Sequence, residues 1–165
     1  MTDINYEKNL VKKPVYEVGS TVPVKGRQQP TMTFMSNDLV PDSNCYIEIG
    51  WIYGMPEPNP HIKDHTHNDY DEIVLHIGTD PKHPEELGAK IEFVVGGQKL
   101  IIDKTSALFI PRGVEHGPLT WKSVDKPHLQ MVVMPGAGTL AESNPAGYLK
   151  DHDEDHPGDI TSHLP

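Results

Sequence analysis

His61-Ile62-Lys63-Asp64-His65-Thr66-His67-Asn68-Asp69-Tyr70-Asp71-Glu72 is the stretch from which the fold is read. On a strand, residues two apart point to one face, so His65 and His67 can present two imidazoles side by side to a single ion. Asn68-Asp69-Tyr70-Asp71 is turn-forming material, and a turn there brings Glu72 back on the next strand beside the same rings. Three ligands then come from one hairpin, with Asp71 as the alternative carboxylate if the turn is tighter.

Downstream, Pro111-Arg112-Gly113-Val114-Glu115-His116 supplies a proline that ends a strand, a glycine able to turn tightly, and a histidine. A loop that returns to the same place makes His116 the fourth ligand. Three neutral imidazoles and one carboxylate suit one divalent transition metal ion (iron, manganese, nickel, cobalt, zinc or copper) without choosing among them.

Around this stretch the texture is that of short strands. Runs rich in β-branched and aromatic residues cover Thr31 to Met35, Cys45 to Tyr53, Glu72 to Ile77, Lys90 to Val95, Lys99 to Ile102, Ala107 to Ile110 and Leu129 to Met134,. Gly96-Gly97 between two of them predicts a tight antiparallel hairpin, because both glycines tolerate positive φ. Sixteen prolines and fourteen glycines in 165 residues punctuate the chain too often for a helical bundle,. The expected class is all-β: a polar arm over residues 1–30, one barrel or sandwich over 31–136, and an acidic tail over 137–165. That tail carries His152, His156 and His163 among acids and reads as a solubilising end.

Three further residues are candidates for a substrate pocket. His76 shares a strand face with Glu72 and Val74, but four residues along a strand is about 13 Å, which puts it deeper than the ion. His128 and Gln130 alternate with Leu129 and Met131, and one of those two faces must point inward. The opposite face of the Glu72 strand, with Ile73, Leu75 and Ile77, is wholly apolar, so a second sheet or a dimer partner is expected to cover it.

Acidic residues outnumber basic ones by 24 to 14, for a formal net charge of -10, with no basic cluster anywhere. Binding to nucleic acid or to an anionic membrane surface is disfavoured. Cys45 is the single cysteine, so an internal disulfide is excluded, and its strand-like setting reads as an apolar filler,. The N-terminus lacks the pattern of a secretion signal and no apolar run has the length of a membrane span, so a cytoplasmic protein is the default expectation.

Both histidine-bearing stretches resemble the signature motifs of the cupin superfamily. The first motif runs glycine, five residues, H-x-H, three or four residues, glutamate, six residues, glycine. Here His65, His67 and Glu72 hold its ligand positions, Asn59 stands where the opening glycine would fall, and Gly78 closes it one residue early. The second runs glycine, five residues, P-x-G-x-x-H, three residues, asparagine. Pro111, Gly113 and His116 match it, with Thr105 and Thr120 in place of the flanking glycine and asparagine.

The resemblance covers roughly Asn44 to Met134 and implies a jelly-roll β-barrel with the metal held by His65, His67, Glu72 and His116. It further implies a metal-dependent enzyme acting on a small organic molecule, dioxygenase first, isomerase or decarboxylase next, with Glu72 as candidate catalytic base. A ligand-binding or sensor protein without turnover is the alternative, and pairing of barrels into a homodimer is the expected assembly.

Overall fold

Ten strands form in the computed structural model, which describes residues 5–17 and 23–139. After a short 3-10 turn over Tyr6–Asn9 come β1 (Val15–Glu17), β2 (Lys25–Arg27), β3 (Thr31–Met35), β4 (Cys45–Glu57) and β5 (Glu72–Gly78). The chain continues with β6 (Glu86–Val95), β7 (Gln98–Lys104), β8 (Ser106–Ile110), β9 (His116–Val124) and β10 (His128–Pro135). The tail with His152, His156 and His163 lies outside the described residues.

Two antiparallel sheets result. One runs in the order β1-β3-β4-β10-β5-β8, with β2 also paired to β4; the other runs β7-β6-β9. From β5 onward four of the five connections cross between the sheets, as in a jelly roll,. Within residues 1–30, Val15–Glu17 pairs with β3, and Lys25 and Arg27 pair with Glu57 and Ile52 of β4.

The period-2 pattern decides which side chains meet. Ile52, Val74 and Ile110 from the large sheet pack against Leu87, Ala89, Ile91, Phe93, Leu119 and Trp121 from the small one. Each buried Ile, Leu, Val or Phe among them contributes on the order of 1.5–3 kcal/mol. Gly96 and Gly97, at φ 54° and 76°, form the expected two-residue turn, with Val95 opposite Gln98.

Two elements differ from the sequence expectation. β9 was hidden, because Gly117 and Pro118 near its start read as a loop, although Leu119 and Trp121 alternate inward behind them. β6 begins at Glu86, four residues ahead of the run that starts at Lys90, since Leu87 and Ala89 already point into the core.

On the outer face of the large sheet, Ile73, Leu75 and Ile77 stand in register with Val133, Met131 and Leu129, and these with Ile47, Ile49 and Trp51. The second sheet covers only the inner face, so this apolar surface is half-buried or exposed.

Candidate metal centre

His65 and His67 lie on an extended segment that is not a regular strand. Pro58 and Pro60 withhold backbone donors, and only two isolated bridges form, Ile62 with Leu119 and His65 with His116,. Both bridges go to β9 in the small sheet. The three first-motif ligands therefore do not share a hairpin: residues 68–71 carry the chain from beside the small sheet into β5 of the large one.

Several contacts hold this arrangement. Asn59, where the motif has glycine, donates its side-chain N–H to the Trp121 carbonyl at 2.7 Å and accepts the Trp121 N–H at 3.0 Å. His65 and His116 exchange backbone hydrogen bonds of 2.8 and 2.9 Å, which sets their rings 4.2 Å apart. Gly117, at φ 106°, lets β9 approach so closely that a Cβ there would strike the Lys63 carbonyl and stand 2.7 Å from Asp64 Cα.

The loop before His116 is stitched to the first motif. Gly113 N–H donates to the His67 carbonyl at 2.7 Å, and Arg112 N–H donates to Asp71 Oδ1 at 2.9 Å. Asp71 is thus a loop anchor, held below the usual carboxylate range first by that backbone hydrogen bond, and Glu72 supplies the carboxylate of the cluster. The other motif departures meet each other: Gly78 N–H donates to Thr105 Oγ1 at 2.9 Å.

One ligand atom from each of His65, His67, Glu72 and His116 falls within 4.8 Å of all the others. Glu72 Oε2 is 2.8 Å from His116 Nε2 and 3.4 Å from His67 Nε2, yet none of these three buried atoms has a hydrogen-bond partner. Ligands on bonds of about 2.1 Å sit about 3.0 Å apart at octahedral and about 3.4 Å apart at tetrahedral edges. The spacing fits an ion.

Tautomers agree with the geometry. His65 Nδ1 faces the Lys63 carbonyl and His116 Nδ1 the Val114 carbonyl, each at 2.9 Å. Since a carbonyl only accepts, Nδ1 carries the proton in both rings and Nε2 keeps a lone pair for a metal. His67 Nδ1 lies 2.7 Å from the buried Tyr70 hydroxyl. Burial pushes His65 down to about 4. Burial would raise Glu72, but His116 and His67 outweigh it and hold the carboxyl at about 2, while Glu72 in turn overcomes burial to raise His116.

The remaining candidates also point inward: His76 is 1%, His128 0% and Gln130 5% exposed. His128 Nε2 accepts the Trp121 indole N–H at 3.2 Å. Sequence reasoning missed His61, stacked on Trp121 at 5.0 Å, and Arg27, paired with Glu48 at 3.5 Å. Neither lies in a periodic run, and no local signal marks them.

No protein-family model matches the chain, and no curated protein matches it by sequence. Among solved structures it is similar to a recombinant oxalate oxidase in complex with glycolate, with TM-score 0.51 and 11% identity over 82% of this chain and 63% of that one. It is also similar to a cupin protein from Bacteroides fragilis, with TM-score 0.46 and 15% identity over 68% and 80% of the two chains. A third likeness is to a cupin-superfamily sugar phosphate isomerase from Silicibacter pomeroyi, with TM-score 0.47 and 14% identity over 74% and 71%. At these identities the likeness is one of fold. Two facing antiparallel sheets with the histidines gathered between them are the jelly-roll arrangement that the sequence led one to expect.

Proposed function

We propose that this protein is a mononuclear, divalent-metal-dependent enzyme acting on a small organic molecule, most simply an oxidoreductase of the dioxygenase type. The observation that carries the reading is the convergence of His65, His67 and His116 with Glu72, all but His65 buried, with unpartnered Nε2 atoms on His67 and His116 facing a carboxylate oxygen. A bound divalent ion supplies Lewis acidity or, if iron, oxygen activation.

The chain's own residues do the rest. The three imidazoles hold position through Nδ1 hydrogen bonds, and Glu72 can accept or return a proton at Oε2. His76, His128 and Gln130 orient the organic molecule, and Val74, Phe93 and Ile110 keep bulk water out. The uncovered face of Leu75, Met131 and Ile49 is where we place a second copy in a homodimer, because nine apolar side chains in register carry no charge,.

Metal analysis of the purified protein tests the centre: one ion per chain is expected, and full occupancy in a His65→Ala, His67→Ala double variant would refute it. Oxygen uptake by the iron-loaded protein with catechols, diketones and thiols tests the reaction type. Turnover without oxygen consumption would assign an isomerase or decarboxylase instead.

A further inference from the structure

Beyond the metal cluster, the interior holds a second set of polar side chains that the centre does not use. His76 of β5, Gln130 of β10 and Gly50 of β4 form one register row on the inner face of the large sheet. The Thr31 methyl group and Arg27 of β2 take the space that Gly50 leaves, Thr31 Cγ2 3.1 Å and Arg27 Nε 4.0 Å from where a Cβ would stand. From the other side, Trp121 and the His61 stacked on it close over the row, with the His76 ring 6.0 Å from Trp121. Glu72 lies about 13 Å away along β5, so this set is outside the metal's coordination sphere.

Burial here is nearly complete: His61 is 2%, His76 1% and Gln130 5% exposed, and the Arg27 side chain 10%. Nevertheless Arg27 Nε, both nitrogens of His61, both nitrogens of His76 and Gln130 Oε1 have no hydrogen-bond partner. A buried polar atom left unpaired is costly, and a native interior rarely tolerates several together. Something with matching polarity belongs among them.

The inventory of donors and acceptors narrows its chemistry. Burial, followed by the charge of Arg27 for His61 and of His128 for His76, pushes both imidazoles down to about 3, so each is neutral and offers one N–H and one lone pair,. Arg27 Nε only donates and Gln130 Oε1 only accepts. The set therefore presents three donors, on Arg27, His61 and His76, and three acceptors, on Gln130, His61 and His76.

A dicarboxylate accepts only and would leave the three acceptors unpaired, while an apolar molecule would leave all six atoms unpaired. Glu48, 3.5 Å from Arg27, already balances the one positive charge. A hydroxyl both donates and accepts. We infer that this interior row binds a small, neutral, polyhydroxylated molecule, of the polyol or simple sugar class, through His61, His76, Gln130 and Arg27. Its identification as the substrate rests on the enzyme reading above; the binding itself does not.

The test is direct binding to the purified protein, with its metal and after chelation, by calorimetry and saturation-transfer NMR. The probes are glycerol, erythritol, xylitol, xylose and glucose, set against malonate, succinate and toluene. At least one hydroxylated compound is expected to bind in the millimolar range or tighter. His76→Phe and Gln130→Met are each expected to weaken it at least tenfold with unchanged circular dichroism and metal content.

The inference is overturned if none of the hydroxylated probes binds the wild-type protein, if the dicarboxylates bind in preference, or if binding survives both substitutions. A crystal soaked in the probes that shows only ordered water on these atoms overturns it as well. Polyol binding by a protein that takes up no metal even when metal is supplied would refute the metal centre alone, whereas a metal-loaded protein that binds no polyol would refute this inference alone.

Discussion

The Tyr70 hydroxyl lies 2.7 Å from His67 Nδ1, the one Nδ1 of the three imidazoles that a side chain meets, since those of His65 and His116 face backbone carbonyls. With Nε2 of His67 turned to the cluster, Nδ1–H donates to the Tyr70 oxygen and holds the ring. Replacing Tyr70 by phenylalanine keeps the buried ring and removes that acceptor. Metal affinity in Tyr70→Phe is expected to fall roughly 10- to 100-fold, read by competition with a chromophoric chelator, with little change in Tm. Wild-type affinity in this variant would remove Tyr70 from the centre.

Acid should destabilise the protein through its interior histidines. His61 and His76 ionise at about 3 in the folded chain and near the ordinary 6.5 when unfolded. Below pH 6.5 the unfolded state takes protons that the folded state refuses, so stability falls from about pH 6.5 down to about pH 3. By pH 4.5 each histidine accounts for roughly 2–3 kcal/mol of that loss. Urea midpoints at pH 7 and pH 4.5 should lie closer together in His76→Phe than in the wild type; an equal gap would contradict the account.

Gly117 is expected to tolerate no side chain. Its φ of 106° is a glycine conformation, and a Cβ would meet the Lys63 carbonyl and Asp64. Gly117→Ala should lose on the order of 2–3 kcal/mol and lower Tm by roughly 5–10 °C. Because the displaced segment carries His65 and His67, metal content should fall with it. A variant with unchanged Tm and metal would show that the approach is not tight.

The outer apolar face predicts self-association. Leu75 and Met131 are cross-strand neighbours at its centre. In sedimentation the wild type should run as two chains and a Leu75→Glu, Met131→Glu variant as one. The same mass for both proteins would locate any association elsewhere.

Read alone, the sequence determined the all-β class and the Gly96-Gly97 hairpin through two-residue alternation and turn chemistry, and motif spacing marked His65, His67, Glu72 and His116 as one ligand set. Alternation also placed His128 and Gln130 on one face, and left open which face is interior. Only the tertiary structure decided that, by setting the small sheet over His76, His128 and Gln130 and leaving Leu129 and Met131 outside. It alone showed that the ligand segment leans on β9 rather than on β5, that Asp71 ties a loop, and that Arg27 and His61 join His76. These depend on contacts between residues far apart in the chain, such as Asn59 with Trp121 and Gly117 with Lys63, which no local pattern encodes.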